Sequence, residues 1–316
     1  MDFVTLGRTG LRVSVMGLGC GGPSRLGQST GRSEEESIAV VRRALELGVN
    51  FIDTAEAYGT ETIVGKALAG VPRDQRDQIV ISTKKNVFRQ GQLVGPDDFV
   101  AGVEGCLERL GVDYVDIFHL HGVRPQHYDH ARTQIVPAVL RLKEQGLIRH
   151  LGITESFGED TRHAMLARAL DDPWWDVMMV GFNMLNQTAR ERVLARTQAQ
   201  NIGVLIMFAV RRTLSDPAKL AETMQTLAAA GQVDPAACDP AAPLDFLVHP
   251  SGAASLTEAA YRYCRYEPGV HVVLSGTGNV AHLEENARAL LQPPLPAADV
   301  ARVNRLFAQV DSVSGN

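Results

Sequence analysis

The sequence has few cysteines, and they are widely spaced. Only four of its 316 residues are cysteine, with no CxxC pair among them: Cys20, Cys106, Cys238 and Cys264. Disulfide frameworks and zinc sites need closely or regularly spaced cysteines, so this pattern argues against both. We predict four free thiols and no bound metal.

Long apolar runs and basic clusters are also missing. No segment offers about 20 uninterrupted apolar residues, and the start MDFVTLGRTG carries Asp2 and Arg8 where a signal peptide is apolar. The 31 basic residues are outnumbered by 36 acidic ones, and none of them form a cluster that would follow a phosphate backbone. We therefore expect a cytoplasmic protein that binds neither membranes nor nucleic acid. The oligomeric state stays open.

What the chain does contain is a repeated alternation of amphipathic helices and short β-branched strands. In the first unit Ser33 is a candidate N-cap, Glu36 completes a capping box, and Gly48 ends the helix before a strand at Val49–Thr54. Further helices are predicted from Glu61 and over Pro96–Leu110, Gln134–Gln145, Glu159–Leu170, Thr188–Gln200 and Ser255–Tyr266. The other predicted strands are Ser14–Gly19, Gln78–Lys84, Tyr114–His121, His150–Glu155, Asp176–Asn183, Ile202–Ala209 and Gly269–Gly276.

Eight alternating units favour a single (β/α)₈ TIM barrel domain, of class α/β, over residues 1–316. A doubly wound open sheet is the alternative. Before the first barrel strand, Phe3–Leu6 and Leu11–Val13 predict an N-terminal β-hairpin that plugs the bottom of the barrel. The proline-rich stretch Arg211–Ala254 predicts a long loop after strand 7, with a helix over Leu220–Ala230, that shapes the mouth of a site.

One glycine-rich segment imitates a dinucleotide motif. Gly17, Gly19 and Gly22 match G-x-G-x-x-G, but that motif works only where its last glycine opens a helix. Here the next residues are PSRLGQSTGRS, and no helix is expected before Ser33. We predict instead that these glycines let a loop approach a ligand closely at the top of the first strand.

Polar residues lie at the carboxyl ends of consecutive predicted strands, where TIM barrels carry their active sites. They are Asp53 with the nearby Tyr58, then Lys84 and Lys85, then His119 and His121. A phenol becomes a useful acid when a neighbouring cation lowers its pKa, and a carboxylate keeps that cation charged and in place. An imidazole can orient the oxygen that receives the proton. This set suits reduction of a carbonyl by general acid catalysis. Without further information, His119 is as readily a core histidine and Lys85 a solvated neighbour.

The segments FIDTAEAYG, IVISTKKN and YVDIFHLHG resemble the motifs around the four catalytic residues of the aldo-keto reductase superfamily. The order of elements resembles that family over essentially the whole chain. The resemblance implies a barrel that binds NADP(H) or NAD(H) without a Rossmann fold. It also implies hydride transfer to an aldehyde or ketone, or the reverse oxidation of a sugar-like alcohol. In this assignment Tyr58 is the general acid/base, Asp53 and Lys84 tune it, and His121 orients the substrate oxygen.

The family's nicotinamide contacts match this chain less well. Thr154 keeps a hydroxyl of the usual Ser-Asn pair, but Glu155 replaces the amide with a carboxylate, which only accepts hydrogen bonds. Met179 stands where a glutamine is usual. Met207 stands where an aromatic ring is usual, with Phe208 one residue out of register. Gly19 and Cys20, at the top of the first strand, are also predicted to contact the cofactor.

The segment VLSGTGNVAHLEENARAL resembles the family's site for the adenosine phosphate. Ser275, Gly276 and Thr277 offer amides and hydroxyls to phosphate, and Glu285 and Asn286 match the pair that contacts adenine. Gly276 and His282 stand where basic residues often bind a 2′-phosphate. We favour NADP(H) over NAD(H).

Apolar side chains in the loops around the mouth suggest a wall for a small-molecule carbonyl or alcohol substrate: Phe88, Trp174 and Met184. Two other functions stay open. The departures at Glu155, Met179 and Met207 suit a non-catalytic cofactor-binding sensor or accessory subunit. A Schiff-base enzyme using Lys84 is the other, although a carboxylate partner would keep that amine charged.

Overall fold

The structure is a computed structural model that describes residues 1–239 and 242–316. Within them, eight parallel strands form a closed barrel. The strands are β1 (Met16–Gly19), β2 (Phe51–Asp53), β3 (Val80–Asn86), β4 (Val115–Val123), β5 (Ile148–Glu155), β6 (Val177–Gly181), β7 (Gly203–Met207) and β8 (Val272–Ser275). The predicted (β/α)₈ barrel is confirmed, and the open-sheet alternative is wrong, because β8 pairs with β1 through Val273 and Met16.

The helices surround the barrel and connect its strands. They are α1 (Glu34–Glu46), α2 (Glu61–Leu68), α3 (Arg73–Arg76), α4 (Pro96–Leu110), α5 (Tyr128–His130), α6 (Val136–Glu144), α7 (Ala164–Ala169), α8 (Ala195–Ala199), α9 (Arg211–Ser215), α10 (Pro217–Ala229), α11 (Leu256–Arg265), α12 (Val280–Leu290) and α13 (Ala297–Leu306). Two π-helical segments, Ala131–Ile135 and Arg190–Leu194, lead into α6 and α8. In the described part of the chain, no helix combines the length and apolar character needed to cross a membrane.

The capping box predicted at the start of α1 is present. The amide of Glu36 donates to Ser33 Oγ at 3.2 Å, and the amide of Ser33 donates to the Glu36 carboxylate at 2.8 Å. Two of the amide donors left free at the helix start are thereby satisfied. Helix α1 then ends before Gly48, whose φ of +83° suits glycine.

The N-terminal hairpin closes the lower end of the barrel, as predicted. Its strands Phe3–Thr5 and Arg12–Ser14 pair antiparallel. Leu6 and Val13 are fully buried and pack against side chains inside the barrel, which come from several strands: Phe51, Val80, Ile117, Val177, Met179, Leu205 and Val272. A Cβ on Gly203 would lie 2.7 Å from the Leu6 side chain, so this strand needs glycine where the hairpin enters.

The chain after β7 forms the predicted long excursion, and residues 240–241 of it lie outside the described residues. Helix α10 begins three residues before the predicted start at Leu220, because Pro217 is well placed in a first helical turn and Asp216 caps the amides of Ala218 and Lys219. The loop is anchored by buried Asn183, whose side-chain amide donates to Phe208 O.

Two local predictions concerning helix starts have clear outcomes. Helix α7 begins at Ala164 rather than Glu159, because His163 adopts φ +56° and the Asp160 carboxylate caps the amides of Ala164 and Met165. The glycine pattern ending at Gly22 does not open an α-helix. It is followed by 3₁₀ turns at Arg25–Thr30, and the next α-helix is α1.

Candidate active site

The structure brings the four predicted catalytic side chains together at the carboxyl ends of β2, β3 and β4. Tyr58 lies on a 3₁₀ turn, Glu56–Tyr58, directly after β2. The parallel register places Lys84 beside His119 and Asn86 beside His121. Because alternate residues of a strand share a face, Lys84 lies one layer below His121 within the barrel.

Lys84 forms a buried ion pair with Asp53. Its ammonium group donates to Asp53 Oδ2 at 2.7 Å, and it also donates to the carbonyl oxygen of Thr54. The other oxygen of Asp53 accepts from Ser82 Oγ at 2.9 Å. Burial disfavours the ammonium form, but the charge and hydrogen bond of the Asp53 carboxylate outweigh this and raise the pKa of Lys84. Lys84 therefore stays cationic.

Tyr58 lies between this ion pair and His121. Its hydroxyl oxygen is 3.3 Å from His121 Nε2, and Lys84 Nζ is 4.8 Å from the centre of its ring. The ring packs so closely on the loop after β1 that a Cβ on Gly21 would lie 2.5 Å from it. Burial raises the pKa of Tyr58, while the positive charge of Lys84 lowers it. With burial dominating, the phenol holds its proton at neutral pH and can donate it.

A bulge in β4 positions His121. The pairing with β5 shifts register between Leu120 and Val123, and Gly122 has φ +57°. The amide of Gly122 donates to Thr154 Oγ1 at 2.7 Å, which fixes the bulge from β5. Burial and the charge of Lys84 lower the pKa of His121 to about 3, so its imidazole is neutral near pH 7.

His119 stays inside the barrel rather than at the mouth. It is fully buried, and a Cβ on Gly152 would lie 2.2 Å from its ring. Burial and the charge of Lys84 lower its pKa well below the usual value. His119 is therefore a neutral core side chain in this geometry.

A cavity of about 1270 Å³ opens above these groups and runs along the barrel rim to helix α12. Tyr58, His121 and Asp53 line it, whereas Lys84 lies fully buried beneath them. It is also lined by most of the residues predicted to bind the cofactor: Gly19, Thr154, Glu155, Met179, Met207, Phe208, Gly276, Thr277, His282, Glu285 and Asn286.

Two predicted cofactor residues lie behind the cavity wall. Cys20 is fully buried in the core, and Ser275 is fully buried below the rim. The Ser275 hydroxyl is 2.9 Å from the Tyr261 hydroxyl and accepts from the side-chain amide of Asn286 at 3.0 Å. The side chain of Ser275 therefore holds Asn286 in place and does not face the cavity.

The three residues predicted to form the substrate wall lie elsewhere. Phe88 belongs to a small hairpin and stacks on His127 with ring centres 4.3 Å apart. Met184 is fully buried, and Trp174 packs against Trp175 and the core outside the barrel. The apolar wall is formed instead by Phe157, Met207 and Phe208.

Glu155 has an interaction that the sequence did not indicate. Both of its carboxylate oxygens lie 2.9 Å from His163 Nδ1, and one accepts from the amide of Gly181 at 2.8 Å. His163 is fully buried and stacks on Phe157. Burial raises the pKa of Glu155, and His163 opposes that shift. The carboxylate thus joins β5, β6 and the start of α7.

The cavity fits an extended dinucleotide. It is continuous from Tyr58 at the barrel mouth to Asn286 on α12. Gly19 and Gly276 line the cavity, and their backbones approach so closely that a Cβ on Gly276 would lie 2.9 Å from Gly19 O. Because neither residue has a side chain, a ligand can cross the rim here. Helix α12 begins just beyond, and the positive end of its dipole favours a phosphate group there, while the amide of Ala281 in its first turn is capped by Asn279 Oδ1.

Comparison with known proteins identifies the class of protein. The model of the aldo/keto reductase family matches residues 16–308, and the chain belongs to this family of oxidoreductases. L-galactose dehydrogenase from Arabidopsis thaliana is 36% identical over 158 residues, which cover 49% of this chain and 48% of that protein. The matched part spans about half the length of the curated relatives.

Solved structures show the same fold. An aldo-keto reductase from Bacillus halodurans in its apo form superimposes with a TM-score of 0.72 at 24% identity, covering 99% of this chain and 98% of that one. Its holo form has a TM-score of 0.71 at the same identity and coverage. The chain therefore shares the overall fold of these structures.

Proposed function

We propose that this protein is an NAD(P)(H)-dependent oxidoreductase, acting as a single domain, that reduces aldehydes or ketones or oxidises sugar-like alcohols. The observation that carries the proposal is the contact of Tyr58 with His121 above the Lys84–Asp53 ion pair, at one end of a cavity that fits a dinucleotide. The family generally reduces carbonyl groups with NAD(P)H.

In this proposal Tyr58 handles the proton. When bound, the nicotinamide supplies or accepts the hydride. Negative charge develops on the carbonyl oxygen during reduction, and Tyr58 Oη donates its proton there. Lys84 stabilises the phenolate that remains, because its buried ammonium lies beside the ring. Asp53 keeps Lys84 charged and fixed, and neutral His121 directs the substrate oxygen towards Tyr58.

We propose NADP(H) ahead of NAD(H) as the cofactor. Near α12 the cavity is lined by His282 and Arg288. Their imidazole and guanidinium groups can donate hydrogen bonds to a 2′-phosphate bound at this end. Titrations of both reduced cofactors, followed by intrinsic fluorescence, test the preference. A lower Kd for NADH than for NADPH would reverse it.

The experiment for the catalytic role compares Tyr58→Phe with the wild type on a reactive aldehyde such as 4-nitrobenzaldehyde. Loss of a general acid lowers rates by about 10²- to 10⁴-fold, and we expect kcat to fall in this range. The Kd of the reduced cofactor should stay within about twofold, as a binding control.

Tyr266→Phe is the matched control, because it removes a hydroxyl that lies outside the site and donates to Gln292 O. We expect it to retain wild-type turnover. If Tyr58→Phe turned over an aldehyde panel as fast as the wild type with either cofactor, Tyr58 would not be the acid.

A second candidate function is a cofactor-binding sensor or accessory subunit. It is favoured by Glu155, whose carboxylate is engaged by His163 and Gly181, and by Met179 and Met207 at the nicotinamide end of the cavity. Tight cofactor binding with negligible turnover in the wild type would support this function over catalysis.

A further inference from the structure

Arg211, the first residue of α9, extends over the mouth of the cavity. Its guanidinium carbon lies 3.8 Å from the centre of the Phe208 ring. One of its terminal nitrogens lies 3.6 Å from the position that a Cβ on Gly22 would take. The side chain therefore reaches from the loop after β7 towards the loop after β1, across the opening.

Within the part of the chain that the structure describes, this guanidinium has no anionic partner of the kind that a half-buried cation normally has. Nε is buried and has no hydrogen-bond partner among the described residues. The ionisable groups that act on it there are Tyr58 and Arg212, and neither is a carboxylate. Burial lowers the pKa of Arg211, as expected for a cation that has lost water without gaining an anion.

Four carboxylates line the cavity, and three of them pair with other bases, while the fourth, Glu285, lies on α12 and is not among the groups that act on Arg211. Asp53 is held by Lys84, Glu155 by His163, and Glu258 by Arg262 at 2.7 Å. The positive charge at the mouth is therefore not neutralised by these residues.

The backbone holds Arg211 in this position. Phe208 has φ +69° and Arg211 has φ +44°, a region that side-chain-bearing residues adopt rarely. Phe208 O is fixed by the Asn183 amide at 3.1 Å, and the next turn is fixed by Thr213, whose amide donates to Gly315 O at 3.2 Å. The stack of Arg211 on Phe208 is thus built into the loop.

We propose that Arg211 is a specificity-determining residue that binds an anionic oxygen group of a ligand in this site, namely a carboxylate on the carbonyl substrate. A planar guanidinium with free donors matches a carboxylate, and desolvation strengthens such a contact. Arg211 lies beside Gly22, and the Tyr58 ring packs against the adjacent Gly21, so the cation lies on the side of the cavity where the substrate would be protonated. This inference rests on the proposed oxidoreductase function and assigns its substrate class.

The diphosphate of the dinucleotide carries the same anionic chemistry, and the experiment separates the two sources. The first arm measures kcat/KM for 4-carboxybenzaldehyde and its neutral methyl ester, and for succinic semialdehyde and butanal, in the wild type and Arg211→Met. The second arm measures the Kd of ADP-ribose by isothermal titration calorimetry, which reports on the diphosphate without turnover.

We expect Arg211→Met to lower kcat/KM for the carboxylated aldehydes about 10- to 100-fold more than for the neutral ones, the usual range for a hydrogen bond to a charged group. Arg211→Lys should restore part of this selectivity, because it keeps the charge but not the planar fork. Weakened ADP-ribose binding without a change in selectivity would assign the anion to the dinucleotide.

Arg25→Met is the matched control, since it removes the same charge from an exposed residue at the same end of the barrel that does not line the cavity. If it changed selectivity as much as Arg211→Met, the effect would be one of general charge and the proposal would be wrong. The proposal is also overturned if Arg211→Met alters neither selectivity nor ADP-ribose affinity. Turnover of the neutral aldehydes by the wild type tests the oxidoreductase function separately.

Discussion

Two buried carboxylates at the barrel mouth each depend on a basic partner from another part of the chain. Asp53 has Lys84 on the neighbouring strand, and Glu155 has His163 at the start of α7. Burying a carboxylate without a partner is costly, so each pair stabilises its site only as long as both members are present.

Replacement of Glu155 by glutamine should destabilise the protein. The amide keeps the shape but loses the charge that accepts from His163 Nδ1 and the Gly181 amide, so we expect a decrease of about 1–3 kcal/mol in the free energy of unfolding. Urea denaturation at pH 7 measures it. Glu159→Gln is the control, since Glu159 forms a largely exposed ion pair with Arg124, and we expect less than about 1 kcal/mol. Equal effects would show that the buried Glu155–His163 pair stabilises the protein no more than the exposed Glu159–Arg124 pair does.

At the residue scale, sequence motifs located the groups that the structure assembles above β2–β4, because Asp53 and Tyr58 are close in sequence and strand ends converge. Arg211 and His163 were missed for the opposite reason. Both adopt positive φ values at the start of a helix. Several of their neighbours in the fold are distant in sequence, and local sequence patterns do not connect them. The same limit explains why the sequence predicted Phe88, Trp174 and Met184 to line the substrate pocket. In the structure Phe88 stacks on His127, Trp174 packs against Trp175, and Met184 is fully buried.

Among the elements, the N-terminal hairpin supports the barrel from the end opposite to the site. Leu6 is fully buried against β7 and the side chains inside the barrel. We expect Leu6→Ala to lower the free energy of unfolding by about 2–5 kcal/mol, the range for a leucine removed from a packed core. Denaturant titration measures it.

Phe3→Ala is the matched control on the same hairpin, because the Phe3 side chain is 39% exposed. It should cost clearly less than Leu6→Ala. The cofactor Kd of folded Leu6→Ala should stay close to that of the wild type, since the cavity lies at the other end. A Leu6→Ala protein as stable as Phe3→Ala would contradict the role of the hairpin as a plug.

Elements whose signals are local were predicted well. The cap at Ser33 follows from residue types three positions apart, and α4 has the predicted bounds Pro96–Leu110, fixed by Pro96 at its start and by Gly111, with φ +66°, after its end. Helix α7 was predicted five residues too early. The polar residues 159–163 contain no proline or glycine that would mark a later start, and only the folded structure shows that Asp160 caps the helix at Ala164.

For the whole molecule, the half-buried imidazole of His121 links stability to pH. Its pKa is about 3 in the folded state and about 6.5 when unfolded. Between these values the unfolded chain binds a proton that the folded protein does not. The stability of the folded state therefore falls as the pH decreases from about 6.5 towards 3.

The test compares the wild type with His121→Gln by urea denaturation at pH 7 and pH 5. From pH 7 to pH 5 the unfolding free energy of the wild type should fall by about 2 kcal/mol more than that of the variant, because the variant has no imidazole to take up this proton. A difference that does not change with pH would mean that His121 is solvated or charged in the folded protein.

The alternation of strands and helices predicted the barrel as a whole, because it depends on periodicity along the entire chain. Closure between β8 and β1 joins segments more than 250 residues apart, and only the count of eight units indicated it.

The N-terminal hairpin closes one end of the barrel, so ligands reach the site from the opposite end, and this has a kinetic consequence. In the function proposed above, cofactor and substrate enter through the same opening, and the nicotinamide binds deeper, beside Met179 and Met207, so the cofactor has to bind first and leave last. Product inhibition should therefore show a compulsory order, with the oxidised dinucleotide competitive against the reduced one and the alcohol not competitive against it.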